Sequence, residues 1–200
     1  MRHFIYYSRH AVTTGNFDLD NLMKAGRMDI ACNVIIMAFF ISHNIRDNVK
    51  IHLIFEGMPD PPKHIEMWPA KGLADIENRI DISKKDVAGL IKKILYKYRK
   101  GEKHEVFPGY WIEKKSLTKV IKELKEEGNE IFILDKKGEN LRDVKIPENC
   151  VFVLGDQDGI PKKELKRLKK SLNPISVGPK TYFASQVITI VNNELDIRGN

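Results

Sequence analysis

Three short segments in the last third of the chain constrain its fold more than any other feature. Glu130–Leu134 (EIFIL), Cys150–Leu154 (CVFVL) and Ile175–Val177 (ISV) are almost wholly apolar, and a polar, glycine-bearing turn follows each or closes it. A strand that is apolar on both faces needs cover on both, which points to a parallel sheet held between helices. The intervening chain supplies those helices. Ser116 opens one that closes at Gly128, Pro161–Leu172 is a second with proline at its start, and Phe183–Leu195 is a third.

The first half is read less regularly. Arg2–Ser8 (RHFIYYS) is a strand of aromatic and β-branched residues, and Thr13–Gly26 is a loop. Asp29 is placed as the cap of an all-round apolar helix over Ile30–Ser42, with His43 as its terminal residue and Arg46 near its end. Lys50–Phe55 is the next strand, then a proline-rich loop and a short alternating piece, His64–Trp68. Ser83 caps a helix through Tyr98, whose Val87, Leu90, Ile91, Ile94 and Leu95 recur at helical spacing, and Gly101–Trp111 is irregular. A chain of 200 residues suits one such α/β domain, 1–200.

Several function classes lose their support. Hydrophobic residues are 42% and charged residues 30%, values of a globular chain and not of a disordered one. No GxGxxG, GxxxxGK[ST], HExxH, GxSxG or CxxC occurs. Cys32 and Cys150 make neither a zinc site nor a disulfide framework, so no metal and a reducing, cytoplasmic setting are expected. The longest apolar run, Val34–Ile41, is too short to cross a bilayer, which takes about 20 residues.

Charge points elsewhere. Ser83–Lys100 carries +6 and Pro161–Leu172 carries +5, more together than the +7 of the whole chain, so the remainder is net acidic. Cations segregated on two helices suit a phosphate-tracking surface, with Lys166, Arg167 and Lys170 as candidates; solvated helix faces are the plainer alternative. Tyr96, Tyr98, Tyr110 and Trp111 are candidates for stacking on unpaired bases, or for the core.

Open parallel sheets bind ligands beyond the carboxyl ends of their strands. Here those ends are Leu134–Gly138, Gly155–Pro161 (GDQDGIP) and Val177–Tyr182 (VGPKTY), where glycines let backbone amides approach a ligand; ordinary turns are the alternative. Asp156 follows a strand end and is either a catalytic carboxylate or a structural one, with Asp158 better spaced to cap the next helix. Arg27, held by Asp29, could meet a phosphate or a base.

Several separated motifs occur together and in order. They are CVFVLGDQDGIP from Cys150, ISVGPKTYFASQVITIVNNELD from Ile175, Gly26-Arg27-Met28-Asp29, Phe39–His43 with Ile45-Arg46, and Pro61-Pro62. In these the chain resembles the SPOUT methyltransferases, specifically the archaeal tRNA pseudouridine-N1-methyltransferase family. The resemblance implies a trefoil α/β knot with a mostly parallel sheet flanked by helices, whereas chain-path rules alone favour an unknotted doubly wound sheet. It also implies an RNA-facing part over about 1–115 and a knotted part over about 116–200, the latter holding S-adenosylmethionine. Leu134, Gly155, Val177, Gly178, Pro179, Lys180, Thr181 and Tyr182 would contact that cofactor, and Val187 would line its pocket. The partners implied are tRNA and a second copy of the chain, with Val187, Ile188, Ile190, Val191 and Leu195 of the last helix at the interface or, equally, in the core. Arg46 joins the RNA-binding candidates on the same ground. The sequence departs from the family at Val187, where cysteine is frequent, and at Gln157, where histidine is.

The reaction implied is methylation of N1 of pseudouridine 54 in the T-loop of tRNA. It asks mainly for alignment of that nitrogen behind an activated methyl carbon, with water excluded. Asp156, Arg27 and Asp29 are the catalytic candidates, a carboxylate being able to orient or accept the N1 proton. Another tRNA or rRNA nucleotide as target, or a non-catalytic RNA-binding dimer, are the alternatives.

Overall fold

In the computed structural model, which describes residues 1–72 and 83–199, the strand β1 (Arg2–Ser8) is buried over its whole length. It lies between two parallel neighbours, β4 (Val49–Phe55) and β9 (Cys150–Gly155). Beyond β9 come β8 (Glu130–Asn140) and, at the edge, β10 (Asn173–Ser176), both parallel. An edge position suits Pro174, which has no N–H for a ladder. On the other side β4 is extended in antiparallel fashion by β5 (Lys63–Met67), β7 (Tyr110–Glu113) and β6 (His104–Phe107). The single eight-stranded sheet thus has a five-stranded parallel half and a three-stranded antiparallel extension.

Alternation along β1 divides the core. Phe4 and Tyr6 face α1 (Met28–Phe39), α2 (Lys84–Tyr96) and α5 (Ala184–Ile197), whereas Ile5 and Tyr7 face α3 (Leu117–Glu126) and α4 (Lys162–Leu168). Helices therefore cover both faces of the parallel strands, as continuous apolar runs require. The strand expectations for Arg2–Ser8, Lys50–Phe55, Cys150–Leu154 and His64–Trp68 hold to within a residue at each end. Ser83 accepts a hydrogen bond from the Asp86 amide at 3.1 Å, the capping expected of it.

Other expectations need correction. Asp29 is not the cap of α1: the helix begins two residues earlier than expected, at Met28, Arg27 stands before it in the left-handed region at φ 63°, and Asp29 lies in the first turn. The helix ends at Phe39, because Phe40 turns extended and starts the hairpin β2 (Phe40–Ile41) and β3 (Asn44–Ile45). His43, at φ 64°, is in the hairpin turn and not on a helix. The carbonyls of Met37 and Ala38, left without partners by the helix end, accept from Asn192 Nδ2 of α5 at 3.4 and 3.3 Å. Gly101–Trp111, read as irregular, contains β6 and part of β7. Asp158 does not cap α4, whose cap residue Pro161 receives no side-chain bond; it pairs instead with His10 at 3.1 Å. Of the last-helix residues offered for an interface, Ile188, Val191 and Leu195 are fully buried in the monomer core. Tyr110 is buried too and unavailable for stacking.

The last helix is tied across the molecule by polar contacts. Asn192 Oδ1 and Asp196 accept from Arg2, and Asp196 also takes both arms of Arg46 at 2.8 and 2.6 Å. Arg198 donates to the Leu141 and Val144 carbonyls, both at 2.7 Å. The segment after β8 is thereby clasped to the chain's end.

A second polar feature crosses the seam between the two halves of the sheet. His3 of β1, His52 of β4 and His64 of β5 stack edge to edge in line, with Nδ1 of one ring 3.0 Å from Nε2 of the next, and His64 Nδ1 is 3.0 Å from Glu113 Oε1 of β7. Glu113 also receives Lys115 Nζ at 2.8 Å. Burial would raise the Glu113 carboxyl, but the His64 and Lys115 hydrogen bonds hold it down at about 2. An ionised Glu113 needs a proton from His64 Nδ1, which leaves Nε2 bare to accept from His52 Nδ1, and so on to His3. All three rings are therefore neutral with the proton on Nδ1. Burial, with Lys50 second, lowers His3 to about 4, and burial drives His52 well below its ordinary value.

Candidate active site

The sheet order places the carboxyl ends of β8, β9, β10 and β1 side by side, because the chain passes from β9 over β8 to reach the edge. The β8–β10 register jumps from Pro174 opposite Ile133 to Ile175 opposite Glu139, so residues 134–138 bulge out of the ladder. Leu134, Asp135 and Lys136 of that bulge line a cleft with Ile175, Ser176, Val177, Gly178, Lys180, Tyr182 and Val187. Its interior is about 80 Å³, and about 330 Å³ counting the open mouth. Asp135 anchors the bulge through Lys169 Nζ of the segment after α4 and the Lys137 amide; burial opposes its ionisation, yet these bonds hold the carboxyl below its ordinary range.

Of the nine cofactor candidates, six line this cleft: Leu134, Val177, Gly178, Lys180, Tyr182 and Val187. Pro179 and Thr181 are in the same loop without lining it. Gly178 stands at φ 153° beneath the Tyr182 hydroxyl, which a Cβ at this position would approach to 3.2 Å. Gly155 is apart from the cleft, in the turn after β9, where a Cβ would come within 2.6 Å of the Gly159 backbone. Asp135, Lys136, Ile175 and Ser176 were not among the candidates; only the bulge brings the first two against β10. The site residues fit an adenosyl group in kind, with Leu134, Ile175, Val177 and Val187 as an apolar wall beside the Val177–Tyr182 loop. The interior is smaller than the roughly 300 Å³ at which closed ligand sites begin, so a nucleoside held there would remain half open.

The catalytic candidates gather at the end of β1. Asp156 is 7% exposed and fully engaged: Oδ2 accepts from Ser8 Oγ at 2.9 Å and the Arg9 amide at 3.0 Å, and Oδ1 from the Asp158 amide at 3.0 Å. Arg27 donates through Nε and Nη2 to the two Asp29 oxygens, each at 3.0 Å, which fixes its fork and leaves its remaining N–H groups on a side chain 37% exposed. The Tyr6 phenol lies between them and is pushed above its ordinary value, by burial first and then by the Asp156 and Asp29 charges. Ser8, Arg9 and His10 were missed; a serine closing an apolar strand beside the glycine-bearing turn of another is the one signal for Ser8.

The RNA candidates divide. Lys166, Arg167 and Lys170 are exposed on or just after α4, Arg167 resting on Thr118 at 2.8 Å. Arg46, by contrast, spends both arms on Asp196 and is nearly covered. No helix among the described residues is long and apolar enough to cross a membrane, and no cluster of metal-ligating side chains is found among them.

The sequence profile of the SAM-dependent RNA methyltransferase family matches residues 1–199. A tRNA (pseudouridine(54)-N(1))-methyltransferase of Methanococcoides burtonii is 34% identical over 98% of this chain and 96% of its own. The protein of the same name from Pyrococcus abyssi is 34% identical over 100% of this chain and 99% of its own. Among solved structures, Archaeoglobus fulgidus Nep1 bound to S-adenosylhomocysteine superposes with a TM-score of 0.61 at 13% identity, over 99% of both chains, a likeness of fold.

Proposed function

We infer, from the premise that this chain belongs to the SAM-dependent RNA methyltransferase family, that it methylates N1 of pseudouridine 54 in tRNA. The observation that carries the reading is the cleft at the ends of β8 and β10, built from the Leu134 bulge and the Val177–Tyr182 loop. The full-length relatives bearing that activity in their names support the nucleotide.

S-adenosylmethionine, when bound, supplies a methyl group activated by its sulfonium. Leu134, Val177 and Val187 exclude water from one side of the cleft and backbone groups of the Val177–Tyr182 loop orient the ligand. Arg27 offers its outward N–H groups to a phosphate of the substrate, aimed by Asp29. Asp156, with three donors on its carboxylate, acts as a positioning residue that holds the Ser8–Arg9 turn against the strand end.

The proposal extends to the assembly. Met37 near the end of α1, Ile41 of β2 and Ile197 at the end of α5 are 42%, 43% and 73% exposed, apolar side chains suited to a second copy of the chain in a homodimer. A soluble enzyme of tRNA modification of this kind works in the cytoplasm, and 1–115 would face the RNA while 116–200 holds the cofactor. Mass spectrometry of tRNA carrying either pseudouridine or uridine at position 54, after incubation with protein and methyl donor, tests the activity. Methylation of the pseudouridine form alone is expected; equal modification of both, or of neither, would overturn it.

A further inference from the structure

The positive charge that sequence places on the helix beginning at Ser83 has a structural focus at its far end. A groove of about 290 Å³ runs between the end of α2 and β6, lined by Tyr96, Lys97, Tyr98, Arg99, His104 and Glu105 among others. Two observations on it converge. Tyr96 is 60% exposed, yet its ring is fixed against the backbone at Gly15, where a Cβ would come within 2.5 Å of it. Tyr98 is held from another side by the buried Lys63 ammonium, 3.7 Å from the ring centre.

Charge selects the occupant. Lys97 follows the last residue of α2, and Arg99 is 71% exposed with only a long, 3.5 Å contact to Glu102. The one carboxylate in the lining, Glu105, is already taken by Lys71 at 2.9 Å and the Gly109 amide at 2.8 Å, so the groove presents cations. A supported, open aromatic ring beside two exposed cations in one groove matches two parts of a nucleotide, a base face and a phosphate. An acidic peptide would satisfy the cations and leave the ring unused.

We propose that this groove docks one unpaired nucleotide of the RNA substrate, its base stacked on Tyr96 and its phosphate against Lys97 and Arg99. The proposal rests on the RNA-methyltransferase reading and adds a second RNA contact, separate from the cleft at the ends of β8 and β10. The test is filter binding of an unmodified full-length tRNA transcript at several salt concentrations, alongside calorimetry with S-adenosylhomocysteine. Tyr96→Ala should weaken RNA binding about tenfold with the salt slope unchanged, within the span of stacking losses per base, and Tyr96→Phe should keep wild-type affinity. Lys97→Glu with Arg99→Glu should weaken it at least tenfold and flatten the slope by roughly 0.7–0.9 per lost phosphate contact. S-adenosylhomocysteine affinity should be unmoved in all three, which marks them as folded. Wild-type RNA affinity in both Tyr96→Ala and the double variant would overturn this proposal alone. A wild-type protein that binds S-adenosylhomocysteine but no tRNA would overturn the reading beneath it as well.

Discussion

The two halves of the sheet handle polar groups in opposite ways. On the side of β8, β9 and β10 the polar residues stand beyond the apolar runs, as at Leu134–Gly138, Asp156–Asp158 and Val177–Tyr182. From β1 and β4 across the seam into the antiparallel extension, polar residues lie inside the strands themselves, where His3, His52, His64 and Glu113 form a ladder. The first arrangement leaves backbone and side chains available to a ligand. The second satisfies each buried group with the next, from Glu113 to His3, which makes it a clasp between the halves. Loss of ligand binding and loss of stability should therefore separate along this line.

Gly178→Val attacks the open half and should have the largest effect. A side chain there is strained at φ 153° and meets Tyr182, so S-adenosylhomocysteine binding should fall more than about 100-fold in calorimetry with the melting temperature little changed. Intact affinity would remove the third loop from the site.

Glu113→Leu attacks the closed half. It removes the acceptor that sets every proton in the ladder, leaves His64 Nδ1 unpaired and Lys115 with Glu123 alone, so urea unfolding should show a loss of about 3 kcal/mol. Cofactor affinity at a concentration where the protein remains folded should stay at the wild-type value, and a parallel drop would show the halves to be coupled.

Acid should act on the same ladder by linkage. His3 titrates at about 4 when folded against 6.5 as a free side chain, so the unfolded chain binds more protons between those values. Its contribution is complete above about pH 6.5 and is lost as pH falls toward 4, a change of about 3 kcal/mol for His3. Chemical denaturation at pH 7 and pH 4.5 measures it; equal stability at both would mean that the rings are already charged. Asp156→Asn, which puts an N–H against donors, should slow methyl transfer about tenfold with cofactor binding preserved, and full turnover would leave the residue purely structural. The smallest effect, about fivefold on tRNA affinity with a reduced salt slope, is expected from joint reversal of Lys166, Arg167 and Lys170 to glutamate; an unaltered slope would make that face of α4 solvated surface.

Much of the parallel half is legible in the sequence, since CVFVL or RHFIYYS admits few alternatives to a buried strand. The cleft was half legible: Leu134–Gly138 and the Val177–Tyr182 loop come from their positions after strands, but that Asp135 and Lys136 turn against β10 follows from a register jump that no local pattern announces. Arg46 misled because its charge is visible in the sequence and its partner Asp196, 150 positions away, is not. The ladder was missed although each histidine interrupts an apolar strand, because three single interruptions acquire meaning only when the strands are laid side by side.

What the sequence by itself determined is therefore the set of elements and the polar ends of the strands, because period, caps and turn residues act between neighbours in the chain. The tertiary structure alone decided which ends meet, that β8 bulges against β10, and that four strands align their polar residues into one file of protons. Those outcomes depend on pairing register between segments dozens of residues apart, and a shift of one residue would turn each histidine to the opposite face of the sheet.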